Sequence, residues 1–223
     1  MKKGQKSKQE IFNKAVQLFS ERGIENVSMR ELAAACDLSL GAFYYHFKNK
    51  EDLILYFYQD SLKGHINRTE NFLETAPQSL PVVMEWVCRD RFKEFSPYKE
   101  MLKPLVFSFN SKSPLSPWAK ESYPIRLQSV DLFKRLTQHC TSLKKEPVVE
   151  VVARILWMQH LMILGLWMIS EADKNRGEIL LEESKKFWKW LPSFLKIPGS
   201  GKTLTKIAES LEKVGLWESY ESK

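Results

Sequence analysis

Residues 28–50 read SMRELAAACDLSLGAFYYHFKNK, and this stretch decides the fold. Ser28 and Glu31 are spaced as a capping box, in which the serine oxygen accepts the Glu31 amide and the carboxylate reaches back to the Ser28 amide. A short helix follows through Leu32, Ala33 and Cys36. Asp37 suits a turn, because aspartate tolerates left-handed backbone better than most residues. Leu38 points back toward the core, and Ser39 caps a second helix from Leu40 to about Phe47. Ala33 and Cys36 are small enough to let the two helices approach closely. Leu32, Leu38, Phe43 and Phe47 supply one apolar side, leaving Tyr44, Tyr45 and His46 on the other. Two helices joined by so short a turn make the unit whose second helix enters the major groove of DNA. Hydroxyls and an imidazole on its outer side suit phosphate oxygens and base edges.

Upstream, Ile11, Ala15, Leu18 and Phe19 follow the spacing of an amphipathic helix, and Gly23 sits where it must stop. Downstream, Lys48-Asn49-Lys50 breaks the recognition helix. Asn49 caps a long fourth helix, from about residue 50 to 73, that carries Leu53, Phe57 and Leu62 inward. Pro77 and Pro81 mark a change of character. Helical patterns then recur near 81–95, 98–109, 117–141, 147–171, 175–196 and 202–214, with an irregular Ser/Pro-rich loop at 110–117. The reading is all-α: a three-helix helix-turn-helix domain in residues 1–52, and a larger helical domain in residues 75–223.

Composition supports a folded chain: 43% of the 223 residues are hydrophobic and 27% charged. The formal net charge of +7 favours a polyanionic partner, and Lys2, Lys3, Lys6 and Lys8 crowd the N-terminus as a candidate backbone-contacting arm. Cys36, Cys88 and Cys140 are odd in number and show no metal-ligand spacing, so a reducing cytoplasm and no metal are expected. The most apolar run, Ile155 to Ile169, falls short of the roughly 20 residues of a membrane span. It reads as a buried interface helix instead. Gly199-Ser200-Gly201-Lys202-Thr203 imitates the end of a phosphate-binding loop, but Lys196 stands where the first glycine is required. It reads as a flexible linker. No nucleophile–base pair, paired carboxylates or HExxH pattern suggests an enzyme, and no cofactor is expected.

The run Ala15, Leu18-Phe19, Gly23, Ser28, Leu32-Ala33, Leu38-Ser39, Gly41, Tyr44, His46-Phe47 and Lys50-Glu51-Asp52-Leu53 resembles the DNA-binding domain of the tetracycline-repressor (TetR) family. Asp37 departs from the glycine usual in the turn, and Cys36 from the usual alanine. The resemblance implies a homodimeric repressor of double-stranded operator DNA. It places Ser28 and Arg30 at phosphate or groove edge. Ser39, Leu40, Gly41, Ala42, Tyr44, Tyr45 and His46 would line the recognition helix, and Lys50 would hold a phosphate at a helix N-terminus. The face lacks Arg, Asn and Gln, the residues that read bases with paired hydrogen bonds. Specificity would then rest on thymine-methyl contacts from Leu40 or Ala42 and on DNA shape.

The resemblance also implies a variable helical domain that binds a small molecule and dimerises. Its aromatics suggest a pocket for an apolar or aromatic effector, with Trp86, Phe107, Trp118, Tyr123, Arg126, Trp157 and His160 as candidate lining. Residues 148–169 are apolar around most of a helix, and 187–191 (FWKWL) add aromatics to the next one. Leu161, Leu164, Trp167, Phe187, Trp188 and Leu191 are the candidate dimer interface. Two other readings stay open at this point: a DNA-binding regulator controlled by a partner protein, and a helical adaptor that has lost DNA binding. Activation rather than repression also stays open, because the sequence does not show where the operator lies.

Overall fold

The computed structural model describes residues 8–75, 79–107, 113–141, 143–144, 146–171 and 175–213. Lys2, Lys3, Lys6, Pro77 and Phe109 lie outside them, as does the Phe107 side chain. Among the described residues every regular element is helical.

Helix α1 (Lys8–Arg22) buries Ile11, Phe12, Ala15, Val16 and Phe19. It ends at Gly23, whose φ of +80° supplies the left-handed residue that closes the last turn, with its amide donating to Phe19 O. Helix α2 (Met29–Ala35) begins with the complete Ser28/Glu31 capping box. Hydrogen bonds from the Ser28 amide and hydroxyl, then from Arg22, bring the Glu31 carboxyl down to about 2. Asp37 adopts φ +52°, and Ser39 Oγ accepts the Ala42 amide to start α3 (Leu40–His46). Leu32, Ala33, Cys36, Phe43 and Phe47 are all buried and tie the helices into one small core. Asn49 Oδ1 accepts the Asp52 amide at the start of α4 (Lys50–Thr75), a 26-residue helix.

Helix α4 belongs to two cores. Its first turns pack Leu53 and Ile54 with the helix-turn-helix residues, and Phe57 then meets Phe95 and Tyr98 of the larger body at 5.6 and 5.3 Å. Helix α5 (Leu80–Phe95) starts with Pro81 in its first turn, as the sequence indicates. The single helix expected over 98–109 is instead a 3-10 turn (Ser96–Tyr98), the short α6 (Lys99–Leu102) and a second 3-10 segment (Lys103–Phe107). Pro97 and Pro104 account for this, since neither can donate an intrahelical hydrogen bond. The helix expected from 117 begins only at Tyr123, as α7 (Tyr123–Cys140), with Pro124 in its first turn.

Helix α8 (Val148–Ile169) is 22 residues long, so by length and composition alone it passes for a membrane span. The apolar run read from the sequence understated it. Packing identifies its place: α7 and α9 flank it, twelve of its residues are buried, and Gln159 holds α9 (Arg176–Phe194) by bonds with Ser184 Oγ and Trp188 Nε1, both 2.8 Å. Gly177 lets the two backbones meet, because a Cβ there would lie 2.3 Å from Trp167 Cβ. Helix α10 (Ser200–Lys213) takes in Gly201, Lys202 and Thr203, so that stretch is a helical first turn and not a linker. Gly201 sits against Val148, where a Cβ would stand 3.1 Å from Cγ2.

Candidate functional site

On α3 the outward positions are as the phase of the sequence indicates. Phe43 and Phe47 are 0% and 1% exposed, whereas Tyr44 and Tyr45 are 44% and 82% exposed. His46 is half-buried and meets the Tyr45 ring edge-on at 5.4 Å. Gly41 and Ala42 are exposed, and nothing in the chain lies within 4 Å of where a Gly41 Cβ would project. Leu40 is half-buried and packs against the core, so only part of its side chain is free for contact. An exposed glycine with open space above it costs helix stability for no internal reason.

The other candidate DNA-contacting residues divide. Arg30 is exposed on the first turn of α2. Ser28 has its hydroxyl engaged in both directions with Glu31, and Ser39 Oγ is spent on the Ala42 amide, so both serines act first as helix caps. Lys50 Nζ donates to Ile24 O at 2.9 Å, which uses one of its three protons and fixes where the ammonium sits. Lys8, the described member of the basic arm, lies over the rings of Phe47 and Tyr56 at 4.8 and 4.9 Å.

The larger body holds a cavity of about 150 Å³ between α4, α5, α7 and α8, closed at one side by residues 102–106 and 115–122. Arg126 and Trp157 of the expected lining are there. Of the others, the Phe107 side chain lies outside the described residues, and the remaining four are elsewhere. Trp86 stacks on Phe72 at 4.6 Å beside an outer groove, and Tyr123 is exposed under the Arg126 guanidinium. Trp118 does not line the cavity. His160 is packed between Phe133 and His65, with Cys88 Sγ 3.5 Å from its Nδ1. Burial lowers the His160 pKa well below its ordinary value, so this ring is neutral core. Leu161 and Leu164, expected at the dimer interface, line the cavity instead.

Trp167, Trp188 and Leu191 are likewise removed from any interface, being 8%, 0% and 4% exposed within the single chain. The residues α8 and α9 leave outward are Met162, Ile179 and Trp190, with Phe187 half-buried beside Trp190 and Ile197 exposed just beyond. Periodicity alone could not separate these faces, because a helix apolar all round is compatible with either partner on either side.

A polar clasp missed by the sequence reading joins α4 to α5. His65 Nδ1 lies 2.7 Å from Asp90, Arg68 forks onto the same carboxylate at 2.8 Å, and Arg68 and Arg91 share Glu94. Arg91 Nη1 also donates to Ser61 Oγ at 2.6 Å. Burial drives the His65 pKa down to about 4 even though the Asp90 hydrogen bond pulls the other way. The ring is therefore neutral, with Nδ1–H donating to Asp90. One signal was available: Arg91 stands in phase with buried Met84, Cys88 and Phe95 on α5, a cation in an apolar stripe.

A capped helix-turn-helix joined by a long shared helix to an all-helical body defines a class of transcriptional regulators. Residues 11–57 match the profile of the bacterial regulatory proteins, tetR family, so the N-terminal domain is similar to the members of that family. The HTH-type transcriptional regulator YerO of Bacillus subtilis is 29% identical over 100 residues, 44% of this chain and 35% of YerO. This chain thus spans about a third of the length of the curated relatives it matches first. Two solved structures share the fold over most of their length. FadR of Thermus thermophilus, a TetR family transcriptional repressor in complex with lauroyl-CoA, has a TM-score of 0.65 at 21% identity, covering 82% of this chain and 93% of that one. The transcriptional regulator FadR of Bacillus subtilis, in complex with stearoyl-CoA, has 0.61 at 15% identity, covering 84% and 98%.

Proposed function

We propose that this chain is a cytoplasmic, homodimeric repressor that binds double-stranded operator DNA through α3 and releases it when a small apolar molecule fills the cavity. The observation that carries the DNA reading is the outward set of Gly41, Ala42, Tyr44 and Tyr45 on a helix whose inner face is locked by Phe43 and Phe47. Tyrosine hydroxyls at that position meet phosphates, and the open space over Gly41 admits a DNA backbone. Ser28, Ser39 and Lys50 support the surface mainly by holding helix ends in place, and Arg30 adds a phosphate contact.

The exposed Met162, Ile179 and Trp190 on α8 and α9, with Ile197 just beyond, support dimerisation through these two helices, whose pairing would cover them. Two copies place their recognition helices roughly 34–36 Å apart, on one face of the duplex. The mostly apolar cavity supports a small-molecule effector, in keeping with two structural neighbours solved with fatty acyl-CoA ligands. It weighs against control by a partner protein alone.

Selection of bound fragments from the source genome, followed by fluorescence anisotropy on the recovered sites, tests the reading. Affinity should fall steeply with salt as phosphate contacts release counterions. Tyr44→Ala should abolish specific binding while the circular dichroism spectrum and dimer mass stay unchanged. A Tyr44→Ala protein that is folded and still binds at full strength would remove α3 as the reading head.

A further inference from the structure

Two polar groups on the cavity wall have unspent hydrogen-bonding capacity. The Arg91 side chain is only 9% exposed and lines the cavity, yet its bonds to Ser61 and Glu94 both leave from Nη1. Among the described residues, its Nη2 and Nε make none. Tyr58, one turn before Ser61 on α4, lines the same cavity, and its hydroxyl makes no hydrogen bond among the described residues. Burial pushes that hydroxyl up to about 12 while the Arg91 charge pulls the other way, so the two groups are electrostatic neighbours and Tyr58 stays a protonated donor at neutral pH. The rest of the wall is largely apolar. Among the described residues that line it, the only other charge is Arg126, and none is a carboxylate.

We propose that the cavity takes an apolar monocarboxylate of about six to eight carbons, whose carboxylate is received by Arg91 and Tyr58. This names the effector class of the regulator reading and rests on that reading for its consequence on DNA. Charge sets the head group: a buried guanidinium offers a fork that matches a carboxylate. Size sets the tail: a cavity near 150 Å³ is comparable to one that accepts benzene. Ser61 and Glu94 are the partners with which the ligand competes for Arg91.

The test uses the full chain, calorimetric titration and thermal melting. Hexanoate and phenylacetate are the probes, with 1-hexanol and 2-phenylethanol as neutral counterparts. The acids should bind at least tenfold more tightly than the alcohols and raise the melting temperature with concentration. Arg91→Met should erase that preference, so that acids bind no more tightly than the alcohols. If Arg91→Met does not fold, Tyr58→Phe serves in its place, with an expected loss of about tenfold for the acids alone. Alcohols binding as tightly as acids would overturn the head-group assignment and leave the effector cavity standing. Hexanoyl-CoA binding more tightly than hexanoate would overturn it too, because its acyl carbonyl carries no charge. If neither acids, alcohols nor the thioester bind, the cavity is not an effector site, and both readings fail together.

Discussion

Gly41→Ala separates folding from DNA binding in a single methyl group. Gly41 is the second residue of α3, and a Cβ there meets no atom of the chain within 4 Å. In the folded protein alone, alanine therefore recovers helix propensity without a clash, roughly 0.5–1 kcal/mol. For a chain of this length that raises the melting temperature by about 1–4 °C. Against DNA the sign reverses. On the proposed reading the methyl group projects into space that the duplex backbone would occupy, and such overpacking costs about 1–3 kcal/mol per contact. A dimer makes the contact twice, so affinity for a selected operator should fall by about 30-fold or more. Differential scanning fluorimetry and anisotropy on one preparation read both quantities. A stabilised protein with undiminished operator affinity would show that the start of α3 does not face DNA, and would refute the reasoning.

Three further perturbations probe the fold. Asp37→Gly relieves a non-glycine residue at φ +52° and should stabilise the chain by about 0.5–1 kcal/mol in urea denaturation; a loss would mean that the contact of Asp37 with Lys14, 4.0 Å away, outweighs the backbone strain. Gly177→Ala forces a methyl group onto the Trp167 backbone and should destabilise by at least about 1–3 kcal/mol, unlike Gly41→Ala; equal melting temperatures for the two variants would contradict the α8–α9 contact. Acid should loosen the clasp. The folded His65 pKa, about 4, lies below the unfolded value near 6.5, so the unfolded chain binds the extra proton between those limits. Stability then falls as pH drops from about 6.5 to 4, by roughly 3 kcal/mol for this group alone, and His160 pulls in the same direction. His65→Gln should flatten part of that slope in urea midpoints measured at pH 7 and pH 4.5, and an unaltered slope would assign it elsewhere.

The helix-turn-helix was legible because its signals are local. Capping residues, a left-handed turn at Asp37 and the alternation of Phe43 and Phe47 with Tyr44 and Tyr45 each act within a few residues. Positions in the larger body depend on which helix lies opposite, and composition carries little of that information. Trp157 and Trp188 look alike in sequence, yet one lines a cavity and the other bonds Gln159 in the core. His160 reads as a polar ligand-orienting group until its neighbours are known, and it then proves to be a neutral ring stacked on His65. The two residues that matter most for the cavity chemistry were overlooked for opposite reasons. Tyr58 was one aromatic among several on α4, while Arg91 broke an apolar stripe and carried a signal that periodicity could have caught.

Helix α4 is where those two kinds of information meet. From Lys50, beside the recognition helix, to Leu62 on the cavity wall is twelve residues of one unbroken helix, about 18 Å. Leu53 and Ile54 are fixed in the helix-turn-helix core, so the lower part of α4 and the helix-turn-helix form one packed unit. The upper part is held to α5 by two polar attachments, linked through Glu94, which both Arg68 and Arg91 contact. Asp90 with His65 and Arg68 is one, and although Asp90 is largely buried, the Arg68 side chain is 41% exposed, so solvent screens part of that pairing. Arg91 with Ser61 is the other, and it faces the cavity. A ligand that engages Arg91 can weaken the second while the first persists. That limits the response to a tilt about the Asp90 anchor and avoids detaching α4 altogether. A coupling of about 1–3 kcal/mol, ample for 5- to 150-fold changes in operator affinity, then requires only the weaker attachment to differ between states.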